Sequence, residues 1–314
     1  MIRLAIIGFG KIARDAHVPA LQAAGGFELK AVVTRAGCDQ DGVRCFDTAD
    51  SMLAALGGEL DAVTISTPPG PRYGIARQCL DAGLDCLLEK PPTTTLGEIE
   101  ELRDEAERLG RVLFTTWHSQ HAAAVEQARD LLAGQRIKTL QISWHEDVNK
   151  YHPGQDWVWE AEGFGVFDPG INALSIASRI MPGKLIVEDA VLRVPANRQQ
   201  PIVVRLSLSS PAANAPLSAV FDWCPASADE WTIAVETEDR HLELRNGGAE
   251  LIVNGQPSSP TGPGEYPSIY AEFARLIAER RSRVDIEPLR LVADALMVGR
   301  REVAPPFEWR TQPV

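Results

Sequence analysis

The chain has 314 residues, of which 45% are hydrophobic, 24% charged and 6% aromatic, the composition of an ordinary globular protein without low-complexity tracts. A formal net charge of −12 opposes non-specific binding to nucleic acid or anionic membranes, because both reward basic patches that displace counterions. Five cysteines (Cys38, Cys45, Cys79, Cys86, Cys224) include no CxxC pair, so neither a disulfide framework nor a zinc knuckle is suggested, and a reducing, cytoplasmic setting fits.

The first apolar run, Ile2 to Ile7, is too short for a signal-peptide core or a membrane span and reads as a β-strand. It leads into Gly8-Phe9-Gly10-Lys11-Ile12-Ala13, a G-x-G-x-x-A turn, and then into a helical pattern over Ile12 to Leu21. Strand, glycine turn and helix in this order form the fingerprint of a dinucleotide-binding Rossmann unit. Gly8 permits the tight turn, Gly10 lets the backbone approach a pyrophosphate, and Ala13 allows close helix packing. The pyrophosphate would then lie on the positive end of the helix. Further strands are expected over Leu29 to Thr34, Ala62 to Ser66, Cys86 to Leu88 and Val112 to Phe114, with the uninterrupted apolar character of a parallel sheet buried on both faces.

The second strand ends Val33-Thr34-Arg35, where NAD-binding units usually place an acid that accepts from the ribose 2′-hydroxyl. A hydroxyl and a guanidinium suit a 2′-phosphate better, so NADP is expected to be preferred, with residual use of NAD; the bland alternative for Arg35 is a solvated surface residue. Glu89-Lys90-Pro91 follows Cys86-Leu87-Leu88, which places Lys90 at the carboxyl end of a parallel strand, where α/β sheets bind their ligands.

Beyond residue 120 the pattern alternates: Leu140, Ile142 and Trp144, then Val203 to Leu208, Leu217 to Trp223, Thr232 to Glu236 and Leu242 to Leu244. That is the signature of an antiparallel sheet with one covered face. Helices are expected at about Pro169 to Ile180, Pro267 to Arg281 and Pro288 to Arg301, each opened by proline at its first position. The fold class is therefore α/β: a Rossmann domain over 1–120 and an α+β domain over 121–314 with a mostly antiparallel open sheet, for substrate binding and oligomerisation. The uncovered sheet face suggests a homodimer.

The chemically densest stretches are Trp144-His145-Glu146-Asp147-Val148-Asn149-Lys150-Tyr151-His152-Pro153-Gly154 and Gly165-Val166-Phe167-Asp168-Pro169-Gly170-Ile171-Asn172. Asp168 before Pro169 also reads as a helix N-cap, worth about 1 kcal/mol. With Asp168 as cap, Asn172 would lie about one turn further on the same helix face. His118 and His121 are too isolated from thiolates or carboxylates to make a metal site.

The glycine turn, Thr67-Pro68-Pro69 and Glu89-Lys90-Pro91, in register, resemble the Gfo/Idh/MocA family of sugar and polyol dehydrogenases. Together with Thr116-Trp117-His118-Ser119, the two dense stretches look like the family branch that oxidises D-galactose and L-arabinose at C1. The resemblance implies cofactor contacts from Gly8, Gly10, Lys11, Ile12, Thr34, Arg35, Thr67, Pro68, Glu89 and Lys90, and often a cis peptide before the matching proline. It implies catalytic roles for Lys90, Asp168 and Asn172, and contacts to a neutral monosaccharide from His118, Glu146, Tyr151, His152 and Trp231. Tyr151 and Trp231 are the expected aromatic walls against a pyranose ring; core packing is the commoner fate of any one aromatic. The family's usual acid-then-histidine pair becomes Asp168 and Asn172, so the common base is missing, and either Asp168 or Lys90 has to serve. An inositol or other polyol dehydrogenase, or a dinucleotide-binding regulator without turnover, stands as the competing reading.

Overall fold

The computed structural model describes residues 1–38, 42–223, 229–258 and 260–310. The chain forms two compact units: Met1–His118 with Pro263–Ile286, and Ser119–Gly262 with Glu287–Val314.

In the first unit, β1 (Ile2–Ile7), β2 (Phe27–Val33), β3 (Arg44–Phe46), β4 (Ala62–Ile65), β5 (Asp85–Leu88) and β6 (Leu113–Thr115) form a parallel sheet in the order β3-β2-β1-β4-β5-β6. Strand order reverses between β1 and β4, the switch point at which doubly wound sheets bind ligands outside the carboxyl ends of their strands. β4 and β5 are buried along their whole length, as their unbroken apolar runs require. β3 is a short, half-exposed edge strand, Arg-Cys-Phe, with too little pattern to be read from sequence. It lies beside β2, and the connection between them brings Cys38 and Cys45 together as a disulfide, their Cα atoms 6.0 Å apart, a pair that the spacing did not suggest. Cys224 falls outside the described residues.

The helix Glu265–Glu279 belongs to this first unit, although its place in the chain suggested the second domain. Ile269, Tyr270, Phe273 and Leu276 are buried in one cluster with Leu4, Ile6, Phe27 and Phe114. Its end is pinned electrostatically as well. Arg280 caps it in the left-handed conformation and makes a bidentate pair, 2.7 and 3.1 Å, with buried Asp85, which also accepts the Val112 N–H.

The second unit is built on a nine-stranded sheet among the described residues, in the order β14-β13-β12-β11-β7-β10-β9-β8-β15. Its strands are β7 (Thr139–His145), β8 (Ile186–Pro195), β9 (Val203–Ser209), β10 (Leu217–Asp222), β11 (Glu230–Glu236), β12 (His241–Arg245), β13 (Glu250–Val253), β14 (Gln256–Ser258) and β15 (Arg300–Ala304). Most pairs are antiparallel; β7 with β10 and β8 with β15 are parallel. β7 and β10 therefore end side by side, and antiparallel β11 begins at the same edge, with Glu230 opposite His145 and Trp231 opposite Trp144.

Helix starts differ from the expected pattern. In Phe167–Ile180, Glu265–Glu279 and Glu287–Val298 the prolines stand second or third rather than first. The first-turn N–H groups have no intrahelical partner, so any of these positions tolerates proline. Asp168 is consequently not the cap. Val166 is, without a side-chain hydrogen bond, and Asp168 is the second helical residue. The last of these helices also stops at Val298, and residues 300–304 cross into β15, which is exposed over most of its length. No helix among the described residues is long and apolar enough to cross a membrane.

Candidate active site

The glycine turn sits at the carboxyl end of β1. Gly8 has φ +91°, and its N–H bonds to the Val33 carbonyl at 3.0 Å while its own carbonyl accepts from Ser66 Oγ at 2.7 Å. A Cβ on Gly8 would lie 2.6 Å from the Thr67 backbone nitrogen, so no other residue fits there. Gly10 is different: among the described residues a Cβ there would meet nothing within 4 Å. It borders a cavity of about 840 Å³ whose wall includes Gly8, Thr34, Arg35, Thr67 and Pro68. These residues fit a dinucleotide. The cavity has cofactor size, two glycines of the turn border it, and Thr67 Oγ1 on the wall is a buried hydroxyl with no hydrogen-bond partner among the described residues.

The other predicted cofactor residues are placed differently. Ile12 and Lys11 are exposed on the turn, with Lys11 paired to Asp15, and Glu89 and Lys90 lie beyond the wall of this cavity. Sequence reasoning missed Asp47, Thr48 and Asp50, which line the same rim as Arg35; they follow the unpredicted strand β3.

Lys90 follows β5, and its peptide bond to Pro91 is cis, as the resemblance implied. Glu89 beside it is 4% exposed. Burial alone would raise its pKa. The hydrogen bond and charge of His17, the charge of His118 and the Lys90 N–H outweigh burial and hold it down at about 2. Arg72, also buried, donates to the carbonyls of Thr67, Glu89 and Pro91, so one guanidinium ties the Thr-Pro and Glu-Lys-Pro segments together. His118, at the end of the first unit, lies 2.9 Å from Glu265 and stacks on Tyr266. Burial would lower its pKa, but the charge and hydrogen bond of Glu265 raise it above 6.5.

In the second unit the sheet edge where β7 and β10 end gathers most of the predicted substrate residues. Glu146, 9% exposed, accepts from Trp223 Nε1 at 3.3 Å and Trp231 Nε1 at 3.2 Å, one indole on each oxygen. The Trp223 ring lies 5.3 Å from the ring of His152, whose Nε2 is 3.4 Å from Asp168 Oδ2. The Tyr151 ring lies 5.6 Å from that of Trp231. Tyr151 is tied down by a 2.7 Å bond to Asp229, and burial raises its hydroxyl pKa. Asn172 follows Asp168 by one turn, half-buried on the same helix.

Gly170 explains how Asp168 is held. A Cβ there would come within 2.8 Å of the Phe221 ring on β10, so the bare backbone lets the first helical turn lie flat on the sheet. No histidine stands four residues after Asp168; the histidine beside its carboxylate is His152, after the short helix Val148–Tyr151. Trp223, not among the residues singled out for substrate, is fully buried and supplies a donor to Glu146. Its position at the end of β10 was the available signal. Among the described residues no three His, Cys, Asp or Glu side chains cluster to hold a metal ion.

A family model described as an oxidoreductase family with an NAD-binding Rossmann fold, Gfo/Idh/MocA, matches residues 2–117. A galactose 1-dehydrogenase of Pseudomonas fluorescens is 41% identical over 302 residues, 96% of each chain. The chain belongs to the Gfo/Idh/MocA family. Among solved family structures, the D-galactose-1-dehydrogenase from Rhizobium etli matches with a TM-score of 0.92 and 43% identity over 98% of both chains. The 3-ketoreductase KijD10 from Actinomadura kijaniata, solved with NADP and TDP-benzene, shares the fold at a TM-score of 0.80 and 20% identity, covering 97% of this chain and 99% of its own. As a Gfo/Idh/MocA member this protein is an oxidoreductase.

Proposed function

We propose that the protein oxidises the C1 hemiacetal of a neutral aldose, D-galactose or L-arabinose, to the aldonolactone, with NADP preferred over NAD. The observation that carries the reading is the match, over nearly the full length of both chains, to two galactose 1-dehydrogenases. The chemistry of the second unit supports it. A carboxylate oxygen accepts more than one hydrogen bond, so Glu146, held by two indoles, has the capacity to bind neighbouring sugar hydroxyls in a fixed orientation. Tyr151 and Trp231 present ring faces for the apolar face of a pyranose.

Asp168 and His152 act as one unit that takes the proton from the C1 hydroxyl, a pair of groups close enough to share it. Lys90 supplies positive charge to the oxygen on which negative charge develops. A bound nicotinamide cofactor would supply the hydride acceptor for C1. The sugar loses that hydride and one proton, and C1–O1 becomes the lactone carbonyl. Asn172, one turn from Asp168, is a hydrogen-bond partner for the same substrate.

For the cofactor, Arg35 on the cavity wall favours a 2′-phosphate, and Asp47 and Asp50 on the same rim can accept from a free ribose hydroxyl. The expected outcome is kcat/KM higher with NADP but measurable with NAD. The test is nicotinamide reduction with each nucleotide against D-galactose, L-arabinose and myo-inositol. Turnover of the aldoses supports the proposal, turnover of inositol alone moves the protein to the polyol dehydrogenases, and nucleotide binding without turnover of any makes it a regulator.

A further inference from the structure

The helix that follows the glycine turn is interrupted near its start: Lys11 and Ile12 are α-helical, but the next turn is not. Ala13–His17 form a π-turn, and the α-helix runs from Val18 to Ala24 with Pro19 second. Proline has no N–H to give back to residue 15 and its ring crowds that carbonyl, so a widened turn carries the chain into it. His17, at the end of that turn, is 0% exposed.

His17 uses both nitrogens. Nε2 lies 3.1 Å from Glu89 Oε1, and Nδ1 lies 2.8 Å from the Tyr270 hydroxyl, which is 3.1 Å from Thr64 Oγ1 on β4. With Glu89 ionised, Nε2 carries a proton and donates it. The Tyr266 hydroxyl donates to the same oxygen at 2.9 Å, and the second oxygen accepts the Lys90 N–H at 2.8 Å. All these residues belong to the first unit. A buried ionic cluster of this kind is weak support for stability, since apolar side chains of similar volume often do as well. What it supplies is geometry: three donors hold the Glu89 carboxylate, and one of them is the backbone N–H of Lys90.

We infer that His17 is a positioning residue for Lys90, acting through Glu89, so that the turn under the cofactor and the lysine form one hydrogen-bonded unit. The inference rests on the reading of Lys90 as a working residue. It is tested with His17→Leu, His17→Gln and Tyr266→Phe, using steady-state kinetics, thermal unfolding and a carboxyl ¹³C NMR titration of Glu89 in the nucleotide-free protein.

The expected result for His17→Leu is a kcat about ten- to a hundredfold lower, with both KM values within about threefold of wild type. His17→Gln, which keeps a donor, regains most of the rate. In the same variant series the Glu89 carboxyl, whose pKa is held down at about 2 in the wild type, titrates at higher pH in His17→Leu. A folded His17→Leu with wild-type kcat, a loss that His17→Gln does not restore, or an unchanged Glu89 titration each overturns the inference. Should His17→Leu not fold, Tyr266→Phe removes the other donor to the same oxygen. A lower kcat there supports the linkage, and a wild-type kcat refutes it. Lys90→Ala separates the two readings: wild-type turnover in that variant sinks the role given to Lys90, whereas the carboxyl titration still reports whether His17 holds Glu89.

Discussion

The two glycines of the turn have opposite jobs, and alanine at each should reveal them separately. At Gly8 the φ of +91° is one that a side chain strains against, which costs about 1–3 kcal/mol, and the new Cβ would press on the Thr67 nitrogen at 2.6 Å and the Ser66 carbon at 2.8 Å. Both atoms are backbone, so the clash adds about 1–3 kcal/mol of overpacking. Gly8→Ala should therefore lose about 2–6 kcal/mol of stability, read as a shift of the urea midpoint at constant slope. At Gly10 no atom of the described residues packs within 4 Å of the added Cβ, and φ is not positive. Stability should stay within about 1 kcal/mol of wild type, or rise slightly as the unfolded chain loses freedom. The Cβ fills the space that a pyrophosphate needs, so nucleotide affinity measured by calorimetry should fall about thirtyfold or more, equivalent to about 2 kcal/mol. A Gly10→Ala protein that binds NADP and NAD like the wild type would refute the cofactor reading of the turn, whatever Gly8→Ala does.

Asp168→Asn and His152→Gln should each lower kcat with galactose by about a hundredfold or more, with the nucleotide KM unchanged; near-normal rates in both would remove them from proton transfer. Arg35→Ala should raise the NADP KM about tenfold and leave that for NAD alone, as expected for a lost charge-assisted hydrogen bond, and equal effects on both would mark Arg35 as a surface residue. Trp223→Phe keeps an aromatic side chain but removes one donor from Glu146, so the sugar KM should rise about five- to tenfold, and the smaller ring in a fully buried site should lower Tm as well. The Glu89 carboxyl has a folded pKa of about 2 against an ordinary 4.5, so it contributes stability that is present above pH 4.5 and lost as pH falls from there toward 2. The loss should be about 3 kcal/mol over that window, and it should be absent from Glu89→Gln; an identical acid limb in the variant would show that Glu89 is not its source.

The parallel strands and the glycine turn were legible because a strand buried on both faces writes an unbroken apolar run, and a tight approach to the next segment leaves only glycine. β3 and β15 were not, because short exposed edge strands such as Arg44–Phe46 and Arg300–Ala304 carry no such pattern. The stripe Ile269, Tyr270, Phe273 and Leu276 announces a buried helix face but cannot name the sheet it meets, and this helix went to the first unit. Asp168 before proline looked like a cap because both residues favour helix starts; the cap falls two residues earlier, and the carboxylate faces His152 instead. Glu146, Tyr151, His152 and Trp231 could be singled out in the sequence, and the structure gathers them at one sheet edge. Their linkage could not, since Glu146 and Trp223 stand 77 positions apart and meet only because β7 and β10 run parallel and end together. Likewise His17 falls inside the helical pattern of Ile12 to Leu21, with nothing local to signal a bond to Glu89, 72 positions on.

The central claim is that hydride leaves C1 of an aldose, and isotopic transfer tests it most directly. With D-galactose deuterated at C1, NADP and the wild-type protein, mass spectrometry of the reduced nucleotide should show one deuterium per nucleotide, with kcat slowed if hydride transfer limits the rate. With galactose deuterated at C3 the reduced nucleotide should carry none. Label arriving from C3 and not from C1, or no nucleotide reduction with either sugar, would contradict the account.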